Sequence, residues 1–144
     1  MELALWFHDA VYRTFRKGNE LHSAEWAARF LAEHGAAASM IANVRELVMA
    51  TTHGPAPLSG DAALVVDIDL SILGQPPAIY DEFERNVRRE YWWVPGRRFA
   101  AARRSILASF LERPSIYHGP TFQDRYEATA RANLERAIGM LQAA

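Results

Sequence analysis

Three ionisable side chains stand among residues that otherwise read as core: His8 and Asp9 in Leu5-Trp6-Phe7-His8-Asp9-Ala10-Val11-Tyr12, and Asp69 in Val65-Val66-Asp67-Ile68-Asp69-Leu70. On a helix, His8 has Ala4, Leu5, Val11 and Tyr12 three and four positions away, and Asp9 has Leu5, Trp6, Tyr12 and Arg13. Asp69 has Val65, Val66, Ile72 and Leu73. All three are therefore expected to be mostly buried. A buried carboxylate must be paired, hydrogen-bonded or metal-bound, because desolvation of a lone charge costs several kcal/mol. Imidazole and carboxylate donors from two helices suit a divalent cation, which supplies the missing counter-charge. A His–Asp pair satisfied by hydrogen bonds and by arginine is the alternative. Asp67 lies about 200° around the helix from Asp69, which places Asp69 in the interior and gives Asp67 a supporting or capping role.

The elements that must position these groups are helical. Apolar residues recur at helical spacing almost throughout and period-two alternation is nearly absent, so an all-α bundle of six or seven helices forming a single domain over residues 1–144 is expected. The first helix is predicted over about Glu2 to Phe15. The second begins at Glu20 or Ser23 and ends at His34, with Trp26, Phe30 and Leu31 inward and Gly35 as its left-handed terminator. A third covers Ala37 to Thr52, with Ile41, Val44, Leu47 and Val48 buried, and leads into the Gly- and Pro-rich segment His53 to Gly60. Asp61 is a candidate N-cap for a helix reaching Leu73. Helices over about Ala78–Trp93, Gly96–Arg113 and Thr121–Leu141 complete the chain, the last capped by Thr121.

Half of the 144 residues are hydrophobic and 11% aromatic, enough apolar material for one core. The absence of cysteine excludes disulfides and thiolate metal sites. No apolar run approaches the roughly 18 residues of a membrane span, and MELALWFHDA carries acid where a signal peptide carries basic residues. A cytoplasmic protein without a membrane partner is expected. The formal net charge of -1 argues against a general nucleic-acid coat. The basic residues are concentrated: residues 85–104 hold seven arginines and a single acid, Glu90. Arg88, Arg89, Arg97 and Arg98 could hold a phosphate by bidentate contacts, although solvation of two exposed helix faces is the simpler account of any one of them. Among the neighbouring aromatics, core packing best explains Phe83 and one tryptophan. Tyr91 or Trp92 could instead flank a base or a partner.

The segments LALWFHDAVY, NELHSAEWAA, VVDIDLSILG, VRREYWWV, SILASFLERPSIY and EATARANLERAI, in this order over nearly the whole chain, resemble the HD-domain superfamily of metal-dependent phosphohydrolases. The resemblance implies an all-helical fold in which the doublet is His8 and Asp9 and the later ligand is Asp69. It also implies a divalent cation (Mn²⁺, Mg²⁺, Ni²⁺ or Zn²⁺) and hydrolysis of a nucleotide or other small phosphate ester by metal-activated water. His53 is the best candidate for a further ligand, because members with two metals recruit additional histidines. Glu20 is assigned, on resemblance and proximity, to proton transfer or support of the metal, alongside Asp9. His22 is expected in solvent, His34 as a favourable cation at a helix C-terminus, and His118 in a loop. The superfamily's first ligand is a His on a helix before the doublet, yet only seven residues precede His8 and none is His. A truncated or misplaced start is the expected reason, and it would expose Leu3, Trp6 or Phe7 for a homodimer to cover. The alternative function is a degenerate HD domain serving as a ligand-binding or protein-interaction module.

Overall fold

Helical periodicity is realised along the chain. The structure, a computed structural model describing residues 1–11, 18–52 and 58–143, is all-α, with no strand among the described residues. Its helices are α1 (Glu2–Phe7), α2 (Asn19–Glu33), α3 (Ala38–Ala50), α4 (Gly60–Asp69), α5 (Pro77–Glu90), α6 (Gly96–Leu111) and α7 (Pro120–Ala143), with a 3₁₀ helix, Leu70–Gly74, following α4. Contacts divide them into two compact units, Met1–Asp69 and Leu70–Ala144. No single helix among the described residues is long and apolar enough to cross a membrane.

The first unit packs α2 on α3, with α1 and α4 against α3. Its core is Ala4, Ala24, Ala27, Leu31, Val44, Leu47, Val48 and Val65. The three alanines let helix backbones approach closely, and this displaces the expected inward stripe of α2. Leu31 is buried as expected, but Trp26 and Phe30 are 41% and 38% exposed, stacked on each other at 5.7 Å and flanked by Phe7, whose ring is 5.3 Å from Trp26. Helix α2 ends as its glycine predicts. Gly35 has φ 76°, its N–H bonds to the Ala32 carbonyl, and the Ala36 N–H reaches back to Leu31, so two carbonyls of the last turn are satisfied.

Three boundaries differ from expectation for identifiable reasons. Helix α1 stops at Phe7 and not near Phe15, because the His8 ring binds the Leu5 carbonyl that a continuing helix would offer to the Asp9 N–H. Residues 12–17 lie outside the described part. Helix α4 ends at Asp69, where the chain tightens into the 3₁₀ helix, and Asp61 sits in its first turn and not at the cap. Helix α5 closes at Glu90, short of Trp93, ahead of Pro95, which has no N–H to continue the ladder, and the Arg88 guanidinium takes the freed carbonyls of Tyr91 and Val94 at 2.6 and 3.2 Å. Trp92 and Trp93 are both exposed, so neither is the core residue expected of one of them. Helix α7 starts at Pro120, whose fixed φ and missing N–H suit a first helical position, and Thr121 falls within the first turn.

In the second unit, α7 packs on α6 and on the 3₁₀ helix. Two side chains of α7 hold backbone that has left regular structure. The buried Asn133 amide donates to the carbonyls of Leu73 and Gln75, both at 2.9 Å. The Glu127 carboxylate accepts from the Ile116 and Tyr117 N–H groups and the Ser115 hydroxyl, and pairs with Arg131 at 2.8 Å. Burial pushes the Glu127 carboxyl upward, but these hydrogen bonds outweigh it and hold it below the usual range. Glu127→Ala is expected to cost about 2–4 kcal/mol in urea unfolding, because it orphans two N–H groups of buried residues. The sign with pH follows from the lowered carboxyl. Its stabilisation is present above the unfolded value of about 4.3 and is lost as pH falls below it.

Candidate functional site

The site lies where two helices of the first unit end. His8 is the C-cap of α1, and its N–H still bonds to the Ala4 carbonyl. Asp9 follows in the turn, and Asp69 is the last residue of α4. His8 Nε2 is 3.2 Å from Asp9 Oδ2 and 3.3 Å from Asp69 Oδ1. One imidazole thus meets two carboxylates from separate segments, Asp9 in the turn after α1 and Asp69 at the end of α4. The burial differs from expectation: the His8 and Asp69 side chains are 22% and 25% exposed, but Asp9 is 66% exposed. With α1 ended at Phe7, Asp9 turns outward toward water and not along an apolar helix face. Asp67 is the more deeply buried member of its pair at 1% exposure, although Asp69 is the one that reaches His8.

The His8 ring is oriented from behind. Its Nδ1 lies 2.7 Å from the Leu5 carbonyl, an acceptor only, so Nδ1 carries the hydrogen. Nε2 then faces two anionic oxygens, and a bare lone pair there would be repelled by both. Positive charge at this point is favoured, and the C-terminal end of α4 favours it further. A proton on the imidazole supplies such charge. The Asp69 and then the Asp9 hydrogen bond, against burial, push the imidazole up to about 10. Among the described residues no group of three or more His, Asp and Glu side chains is arranged to hold a metal ion. The donor types suit a divalent cation, and a His with its second nitrogen on a backbone carbonyl has the support that metal-ligating histidines usually have. Direct hydrogen bonds from Nε2 nevertheless leave proton-sharing geometry and not a cage.

A pH dependence follows. Below about 6.5 both the folded and the unfolded chain hold the His8 proton. Between that value and about 10 only the folded chain retains it, so stability is expected to fall as pH rises through this window, by up to about 1.4 kcal/mol per pH unit. Urea unfolding at pH 6, 8 and 9.5 reads this slope, and Asp69→Asn should flatten it.

The remaining candidates are dispersed. His53 lies outside the described residues. Glu20 sits in the first turn of α2 and is not one of the carboxylates paired with His8. His22 is exposed, as expected, and 3.8 Å from Glu25, while His34 lies at the end of α2 and stacks on Phe30. Arg88 is committed to the carbonyls that close α5 and lies over the Phe99 ring. Arg89 bonds Asn86, and Arg97 and Arg98 are exposed at the start of α6. Arg88, Arg89, Arg97 and Arg98 all belong to the second unit.

Ser23 escaped sequence reasoning. Fully buried on α2, its hydroxyl accepts from the Val11 N–H at 3.0 Å and approaches the Val11 carbonyl, tethering the strip of chain that leaves the His8–Asp9 turn. The signal was a small hydroxyl beside the buried Ala24 and Ala27 on the face of α2 that meets its neighbours.

No protein-family model matches the chain, and no curated protein or solved structure shows significant similarity to it.

Proposed function

We propose that the chain is a metal-dependent phosphohydrolase of the HD-domain type, acting on a nucleotide or other small phosphate ester, with His8, Asp9 and Asp69 as donors to a divalent cation. The supporting observation is the convergence of His8 Nε2 on two carboxylates at the ends of α1 and α4, an arrangement that demands positive charge. When bound, a dication would lower the pKa of water and polarise a phosphoryl oxygen. The chain's own contribution is to orient the imidazole through the Leu5 carbonyl, to fix Asp69 at a helix terminus and to keep Asp9 facing solvent, where substrate arrives. His53 completes the donor set in this reading, and Glu20 holds or moves a proton.

The test is metal analysis of the full chain, followed by hydrolysis assays on nucleoside mono-, di- and triphosphates with Mn²⁺, Mg²⁺, Ni²⁺ and Zn²⁺ in turn. Stoichiometric metal with metal-dependent phosphate release supports the proposal.

A second reading is favoured by the absence of a metal-ready group among the described residues. In it the imidazolium takes the place of the cation permanently, and the domain is a ligand-binding or interaction module. NMR titration of the His8 ring separates the two. Zn²⁺ or Mg²⁺ displaces the Nε2 proton and lowers the apparent pKa in the enzyme, but leaves it near 10 in the module.

A further inference from the structure

Helices α5, α6 and α7 of the second unit line an open cavity of about 680 Å³, within the range of small-ligand sites. Ala100, Ala137, Met140 and Leu141 form an aliphatic wall. Its polar part is charged, and the charges do not cancel. Asp81 and Glu84 reach the cavity, but each is already neutralised by an arginine that is not part of the lining: Arg136 hydrogen-bonds Asp81, and Arg103 grips both oxygens of Glu84 at 3.1 and 2.6 Å. The buried Tyr80 phenol also donates to Glu84. Arg88 is spent on two backbone carbonyls. Arg85 and Arg97 line the same space, are exposed, and meet no acid among the described residues. The lining therefore combines two guanidinium groups that meet no acid with an aliphatic wall.

We propose that this cavity binds a small amphiphilic anion, an acyl chain ending in a carboxylate or phosphate, with the head at Arg85 and Arg97 and the methylenes along Ala100, Met140 and Leu141. Fork-shaped guanidinium groups match either head. A nucleotide fits less well. No Asn, Gln, Ser or Thr lines the cavity to read a base edge, and the one lining ring, Phe99, is covered by Arg88 at 4.8 Å.

Calorimetric titration of the full chain with decanoate, decyl phosphate, decyltrimethylammonium and AMP, below micellar concentrations, tests the assignment. The expected result is saturable one-to-one binding of at least one anionic probe, about 10-fold or more tighter than the cationic one, with the preferred head showing whether carboxylate or phosphate is the natural ligand. Arg85→Glu with Arg97→Glu, at exposed positions, should weaken it at least about 10-fold. Ala100→Trp should fill the space and abolish it. Because overfilling a packed space can also unfold a chain, thermal unfolding is followed alongside, and the arginine variant decides alone where Ala100→Trp does not fold. Equal binding of the cationic amphiphile, tighter binding of AMP, no binding of either anion, or affinity unchanged in the arginine variant overturns the proposal.

Discussion

Asp69→Ala is expected to abolish retention of divalent metal and to lower phosphoester hydrolysis by about 100-fold or more, while leaving the helical circular-dichroism signal unchanged. The size follows from the geometry. Asp69 is the better-shielded of the two carboxylates at His8, so its removal leaves only Asp9, most of whose surface faces water. Loss of groups that merely support metal ligands already costs about 10–100-fold, and loss of a charged donor exceeds this. The fold should survive, because Asp69 ends α4 and the neighbouring core is carried by Val65 and Val66. Asp69→Asn retains the shape and removes the charge, and should fall between wild type and Asp69→Ala. If Asp69→Ala hydrolyses its substrate at the wild-type rate, the proposed centre is wrong.

The second large effect is on stability. Gly74→Ala is expected to destabilise the chain by roughly 3 kcal/mol, lowering Tm by about 10 °C in thermal unfolding. A Cβ at position 74 would sit 2.5 Å from the Tyr126 Cβ, 2.9 Å from the Tyr126 carbonyl oxygen and 3.0 Å from the Tyr117 phenol oxygen. The first two atoms cannot swing aside, so the 3₁₀ helix and α7 must separate. That separation would strain the Tyr117 hydrogen bond to the Leu70 carbonyl and both Asn133 contacts. Gly139, on the exposed face of α7, where an added Cβ would meet nothing within 4 Å, is the control. Gly139→Ala should stabilise by up to about 1 kcal/mol, through helix propensity alone. Equal effects of the two substitutions would refute the close-packing argument.

The helical class and most helix positions were legible because apolar spacing is a local signal, strong in segments such as Val44, Leu47 and Val48. Gly35 was legible for the same reason: its left-handed geometry is dictated by two neighbouring turns. Boundaries set by side chains acting on backbone were not. Nothing in residue type announces that His8 would capture the Leu5 carbonyl where α1 ends, or that Arg88 would take the carbonyls left free after α5. The inward face of α2 was misread because Trp26 and Phe30 outweigh alanines on any hydrophobicity count, whereas close helix approach selects the alanines. At the site, the charge logic of His8, Asp9 and Asp69 was readable from their apolar neighbours. Their relative burial depended on where two helices stop, which is a tertiary outcome.

The Glu127 clasp also bears on how the second unit opens. Its carboxylate ties the backbone between α6 and α7 to the first half of α7, so the Ile116 and Tyr117 amides should exchange with deuterium only in openings that also release α7. A connecting segment of this kind would ordinarily be a point of proteolytic entry. Here it is bound into the same cooperative unit as the longest helix, and nicking there should report global and not local unfolding.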